Sequence, residues 1–174
     1  MQDELVLWES FRQGDRSALA DIFSAHYELL ERYGRKIIPD SEILQDLIHD
    51  IFIDLWERKT PPPVTSIPSY LLGALRNRML VHYRDQRKRM GGMPAELDFQ
   101  VSAEDFIIER ESQCEQVKKL VNALGLIPPR QREILYLRYY CHLEYAEICE
   151  LMGINYQVAR NQLSLALSAL RKQV

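Results

Sequence analysis

Asp46, His49 and Asp50 recur at i, i+3 and i+4, a spacing that puts two carboxylates and an imidazole on one face of a helix. Asp-x-x-His is one half of the ligand set with which helical bundles hold a pair of metal ions, and such a site needs a second copy. The sequence has none, because His26, His82 and His142 are preceded at that spacing by Phe23, Met79 and Tyr139. No metal or cofactor is therefore expected. A Gly-x-x-x-x-Gly-Lys phosphate loop and a Gly-x-Ser-x-Gly nucleophile turn are also missing, so the chain is not expected to be an enzyme.

The remaining polar sets suit recognition. Arg76, Asn77, Arg78, Arg84, Arg87, Lys88 and Arg89 crowd one segment, a density of positive charge that suits phosphate contacts. Near the carboxy terminus, Tyr156, Gln157, Arg160, Asn161 and Ser164 share one helical face. Arg reads guanine in the major groove, and Asn or Gln reads adenine. The plainer alternatives are a solvated helix face for Asp46, His49 and Asp50, and an ordinary αα-hairpin with a solvated polar face for the carboxy-terminal pair.

Helices must position these groups, since apolar residues repeat at helical spacing throughout and no strand-like alternation appears. Ser17 to Tyr33 carries Leu19, Ile22, Phe23, Tyr27 and Leu30 on one face, with Gly34 as its stop. Asp40 or Ser41 caps a second helix with Leu44, Leu47, Ile48, Ile51, Phe52 and Leu55 inward and the acidic residues outward. The prolines of TPPPVTSIP make that segment a loop, and a long helix from Ser69 to Arg89 follows, apolar early and basic late. Residues 91 to 112 break the pattern and read as a flexible linker. Beyond it come a helix at Cys114 to Leu124, another opened by Pro129, and a helix-turn-helix. In that motif Ala146, Ile148 and Leu151 face inward, Gly153 makes the turn, Asn155 caps the second helix, and Val158, Leu163 and Leu167 face inward. The fold class expected is all-α, with two small helical domains at residues 1–90 and 113–174.

Charge follows the same division. Residues 40–60 hold two basic against six acidic side chains, 76–90 six against one, 91–116 one against seven and 117–174 eight against four. A net charge of −3 thus conceals separate basic and acidic surfaces, one for DNA and one for a partner. The acidic start and the lack of an apolar run near the length of a membrane span argue for a cytoplasmic protein. Three unevenly spaced cysteines, Cys114, Cys141 and Cys149, fit buried thiols in a reducing compartment rather than a disulfide framework.

LIPPRQREILYLRYY followed by LEYAEICELMGI resembles region 4 of the extracytoplasmic-function group of the sigma-70 family of RNA polymerase sigma factors. GDRSALADIFSAHYELLERYG, DLIHDIFIDLWER and SYLLGALRNRMLVHYRDQRK resemble region 2 of the same group, in family order and spacing. The resemblance implies a factor that lends RNA polymerase its promoter specificity. It implies that Asp46, His49 and Asp50 grip the clamp of core polymerase, and that Arg76, Asn77, Arg78, Arg84, Arg87 and Lys88 meet the −10 promoter element. Val64, Thr65 and Ser66 would then sit in the loop that captures a base flipped from the opening duplex, with Tyr70, His82 and Tyr83 as stacking surfaces, Tyr70 serving equally as a core residue. Tyr156, Gln157, Arg160, Asn161 and Ser164 would read the −35 element, assisted at phosphates by Arg130, Arg132 and Arg138. The sequence departs from the family at Gln162, Leu165 and Ser168, positions that are often basic. An anti-sigma protein that covers these surfaces is implied as a further partner. A stand-alone helix-turn-helix regulator and a sigma-like antagonist are the competing readings.

Overall fold

The computed structural model describes residues 2–90, 97–101 and 114–172, which form two units, Met1–Ala95 and Glu96–Val174. Among the described residues the regular structure is entirely helical.

The first unit holds α1 (Gln2–Arg12), α2 (Arg16–Arg35), α3 (Ser41–Glu57) and α4 (Ile67–Arg89). Local chemistry starts each of the last three. The Asp15 carboxylate accepts from the Ser17 amide, Asp40 from the Glu42 and Ile43 amides, and the Ser66 hydroxyl from Ser69. Ile67 and Pro68, expected in the loop, form the first turn of α4, where proline's missing N–H costs nothing. The core gathers Trp8 and Phe11 from α1, Ile22, Leu30 and Tyr33 from α2, Leu44, Ile48 and Leu55 from α3, and Leu71, Leu72 and Leu75 from α4.

Gly34 does not end α2 as expected; the helix runs on to Arg35. A Cβ at Gly34 would land on Leu44 Cδ1 and lie 3.2 Å from Leu44 Cγ, so the glycine is there to let α3 approach. His26 is also buried, 5% exposed, with its Nε2 3.8 Å from the Glu4 carboxylate. Burial pushes its pKa down and Glu4 pulls the other way.

The second unit holds α5 (Cys114–Gly125), α6 (Pro129–Leu135), a π-helical turn (Tyr136–Tyr140), α7 (Tyr145–Met152) and α8 (Tyr156–Arg171). Gly153 takes φ 63°, the left-handed value a tight turn demands, and Asn155 Oδ1 accepts from Val158 N at 2.8 Å to start α8. The inward stripes differ from those expected. Ile148, Leu151 and Met152 are buried on α7 while Ala146 is exposed. On α8 the buried stripe is Ala159, Leu163 and Ala166, one residue on from Val158, which is 36% exposed.

Much of the segment expected to be a linker, 91–96 and 102–112, lies outside the described residues, but Leu97–Gln100 belong to the second unit. Phe99 is fully buried, its ring 5.4 Å from that of Tyr136, and Leu97 is 6% exposed. Arg132 ties the strap down, reaching Gln100 Oε1 at 3.4 Å and Asp98 Oδ1 at 3.7 Å.

Candidate nucleic-acid interface

α3 turns Asp46, His49, Asp50 and Asp54 to solvent because Leu44, Ile48, Ile51 and Leu55 claim its opposite face. The acidic row is edged by rings: His49 stacks on Phe23 at 6.0 Å and lies 6.5 Å from Tyr27, and Phe23 packs edge-on against Phe52 at 4.9 Å. Further along α3, Ile53 and Trp56 are about half exposed, and the Arg16 guanidinium lies 4.4 Å above the Trp56 ring. Acidic, aromatic and aliphatic groups thus share one continuous helix face.

Arg78 joins this face from α4. Its Nη1 donates to Asp50 Oδ2 at 3.2 Å, and its Nη2 donates to the Asp50 carbonyl at 3.2 Å and to Asp54 Oδ2. Expected among the DNA contacts, Arg78 is here engaged with two carboxylates of the acidic row. The pairs are exposed and contribute modestly, about 0–1 kcal/mol each, yet they set where Arg78 points. Asn77, Arg84 and Lys88 are exposed and Arg76 half-buried, while Arg87 closes the helix with Lys88 and Arg89 in its last turn. Tyr83, expected as a stacking surface, donates its hydroxyl to the Ile37 carbonyl at 2.6 Å and so ties α4 to the turn that follows α2. His82 packs edge-on against that ring at 5.8 Å.

The loop before α4 is held at both ends. The Trp8 indole N–H donates to the Pro62 carbonyl at 2.9 Å and Arg12 Nε donates to the Pro61 carbonyl at 3.0 Å, while Ser66 caps α4. Thr65 is exposed, Val64 and Ser66 half-buried. Tyr70 leans on Trp8, ring centroids 5.3 Å apart.

In the second unit Tyr156, Gln157, Arg160, Asn161 and Ser164 all lie exposed on one face of α8. Gln157 Nε2 donates to Asn161 Oδ1 at 3.0 Å, which orients both amides. The start of α8 is braced by rings: Tyr156 lies 5.3 Å from Tyr145, over which the Arg138 guanidinium sits, also at 5.3 Å. Arg138 further donates to the Leu143 carbonyl at 2.7 Å and pairs with Glu144 at 3.0 Å. Arg132, 8% exposed and tied to the strap, faces inward, so it is not the phosphate contact expected from the sequence.

Two blocks of the chain match family models, residues 22–89 that of Sigma-70 region 2 and residues 118–170 that of Sigma-70, region 4. The chain belongs to the sigma-70 family. It falls in the extracytoplasmic-function group. The factor is 22% identical to the ECF RNA polymerase sigma factor SigK of Mycolicibacterium vanbaalenii over 88% of its own length and 82% of that protein. Among solved structures, its fold resembles CnrH, determined with the cytosolic domain of CnrY, at a TM-score of 0.63 and 16% identity over 97% of this chain and 95% of that one. It also resembles RpoE of Bartonella quintana, determined with the anti-sigma factor NepR, at 0.61 and 16% identity over 91% and 94%. No described helix of this sigma factor is long and apolar enough to cross a membrane.

Three features of the sigma factor escaped the sequence. The ring cluster beside the acidic row was hidden because Phe23 and Phe52 look like ordinary core positions. The Arg78 bridge joins residues more than twenty positions apart. Trp8 and Arg12 lie outside the block matching region 2, and their one sequence signal is their shared face on a short helix, at i and i+4.

Proposed function

We propose that this sigma factor binds core RNA polymerase through the α3 face built on Asp46, His49 and Asp50, and directs initiation at promoters read at their −10 and −35 elements. The observation that carries the reading is the presence, on one folded unit, of an acidic and aromatic helix face beside an exposed basic helix end. Carboxylates on a rigid helix pair with basic groups of a partner and set register and association rate. Asn77, Arg84, Arg87 and Lys88, with Arg76, supply phosphate contacts at the −10 element. The Val64–Ser66 segment, with Thr65 exposed between anchored ends, is suited to take a base turned out of the duplex. On α8, Arg160 and the oriented Gln157–Asn161 pair, flanked by Tyr156 and Ser164, face outward as a recognition helix does in the major groove. In the free chain Arg78 pairs with Asp50 and Asp54, so a part for it at the −10 element requires those exposed pairs to open. The same surfaces suit an anti-sigma protein, the kind of partner with which RpoE of Bartonella quintana was determined.

Run-off transcription with purified core polymerase tests the reading, comparing the native chain with Asp46→Ala/Asp50→Ala. Promoter-dependent initiation by the native chain, lost in the variant, is the expected result. A specific shift of a palindromic fragment by the chain alone, without initiation, makes it a stand-alone regulator. Polymerase binding that blocks initiation makes it an antagonist.

A further inference from the structure

Pro61, Pro62 and Pro63 carry carbonyls but no backbone N–H, so this stretch cannot anchor itself by donating to a neighbour. Its anchors have to come from outside, and they come from α1. The buried Trp8 indole, 2% exposed, donates at 2.9 Å to the Pro62 carbonyl, and Arg12 Nε donates at 3.0 Å to the Pro61 carbonyl. Two donors four residues apart on one helix thus grip two consecutive carbonyls. Arg12 is itself steadied by Glu9, 2.7 Å from its Nη1. Three successive prolines with fixed φ make a stiff rod, so fixing two carbonyls fixes the direction in which the rod leaves the protein. At the far end Ser66 caps α4 and Tyr70 packs on the same Trp8 ring. Between the two fixed ends lie Pro63, Val64 and Thr65, of which Pro63 and Thr65 are exposed.

We propose that Trp8 and Arg12 are positioning residues for promoter reading: by holding the Pro61 and Pro62 carbonyls they set the height and angle of the Val64–Ser66 tip, and so which unpaired base it accepts. α1 then belongs to the reading apparatus although it touches no DNA. The inference rests on the proposed role of the loop as the base-capturing element.

The test uses the reconstituted holoenzyme and promoter fragments carrying each of the four bases at the captured position, with 2-aminopurine beside it to follow opening. Trp8→Phe keeps the ring against Phe11 and Tyr70 but removes the N–H. Arg12→Met keeps the stem and removes the donor, on a half-exposed side chain whose loss the fold tolerates. The expected result is a fall of about three- to tenfold in opening rate on the preferred base, the scale of one lost hydrogen bond. Discrimination between bases should narrow by a similar factor, with affinity for core polymerase unchanged. A merely structural role lowers core affinity and opening together and leaves the base preference alone, and that result overturns the inference. Unaltered opening and preference in both variants overturn it as well. If the native chain initiates but reads no base at this position, the loop reading fails and takes the inference with it; if only the variants match the native chain, the loop reading stands and the inference alone falls.

Discussion

Phe99→Ala should destabilise the second unit selectively. The ring is fully buried, and removing a buried Phe side chain typically costs about 3–5 kcal/mol, transfer and cavity together. A strap held by few contacts can detach instead of leaving a rigid cavity, so the lower end, about 3 kcal/mol, is the better expectation. A unit of this size has about 4–12 kcal/mol of stability in all, and its melting temperature falls by about 4–8 °C per kcal/mol. The transition should therefore drop by more than about 12 °C. The two tryptophans supply an internal control, since Trp8 and Trp56 both lie in the first unit. Tryptophan emission follows the first unit alone, while far-ultraviolet circular dichroism follows both. In the variant the dichroism should acquire an early phase that the emission does not share. A shift below about 0.5 kcal/mol, the range of ordinary surface substitutions, would mean that Leu97–Gln100 rest on the unit without supporting it.

Gly34→Ala should destabilise the first unit: the helix gains up to about 1 kcal/mol in propensity, but overpacking against Leu44 costs about 1–3 kcal/mol, and a raised emission midpoint in urea would refute the contact. His26 has its pKa lowered by burial, so the folded state binds its proton less readily than the unfolded chain. Its contribution is complete above the unfolded value of about 6.5 and declines as pH falls through the folded value; His26→Phe should flatten the dependence of the urea midpoint on pH in that window. The Cys141 thiol is pushed up to about 12 by burial, so iodoacetamide at pH 8 should label Cys149 well before Cys141, as read by peptide mass mapping. Equal rates would show that the Cys141 thiol ionises as readily as that of Cys149, against the direction of its shift.

Where one residue's own chemistry decides the structure, the sequence was legible. Asp40 and Asn155 cap because a short oxygen-bearing side chain satisfies the first amides of a helix, and Gly153 turns because only glycine enters the left-handed region cheaply. Where size and hydrophobicity point different ways, the reading slipped. On α8, Val158 and Leu165 are large and apolar yet exposed, while the buried Ala159 and Ala166 are small because helices pass close there. Gly34 carries the same ambiguity, since a glycine serves equally as a helix stop and as a gap for a neighbouring side chain. Leu97–Gln100 have no periodicity to read, and their place is fixed by Phe99 and by Arg132, more than thirty residues away. Of the candidate surfaces, membership in two helix faces was visible in the spacing. Arg78's pairing and the grip of α1 on the proline loop depend on contacts between elements, which spacing along the chain does not encode.

The bridge from Arg78 bears on how quickly the protein meets its partner. A row of carboxylates with no countercharge would draw a basic surface from a distance, and encounter would slow steeply as salt is added. With one guanidinium lodged between Asp50 and Asp54, the row of Asp46, Asp50 and Asp54 carries two net negative charges in place of three, and its far field weakens accordingly. Long-range attraction is then shared between Asp46 and the one negative charge left at the bridge. Association on the proposed polymerase surface should accordingly be less sensitive to ionic strength than the acidic composition of α3 suggests, and replacing Arg78 with Met should make it steeper.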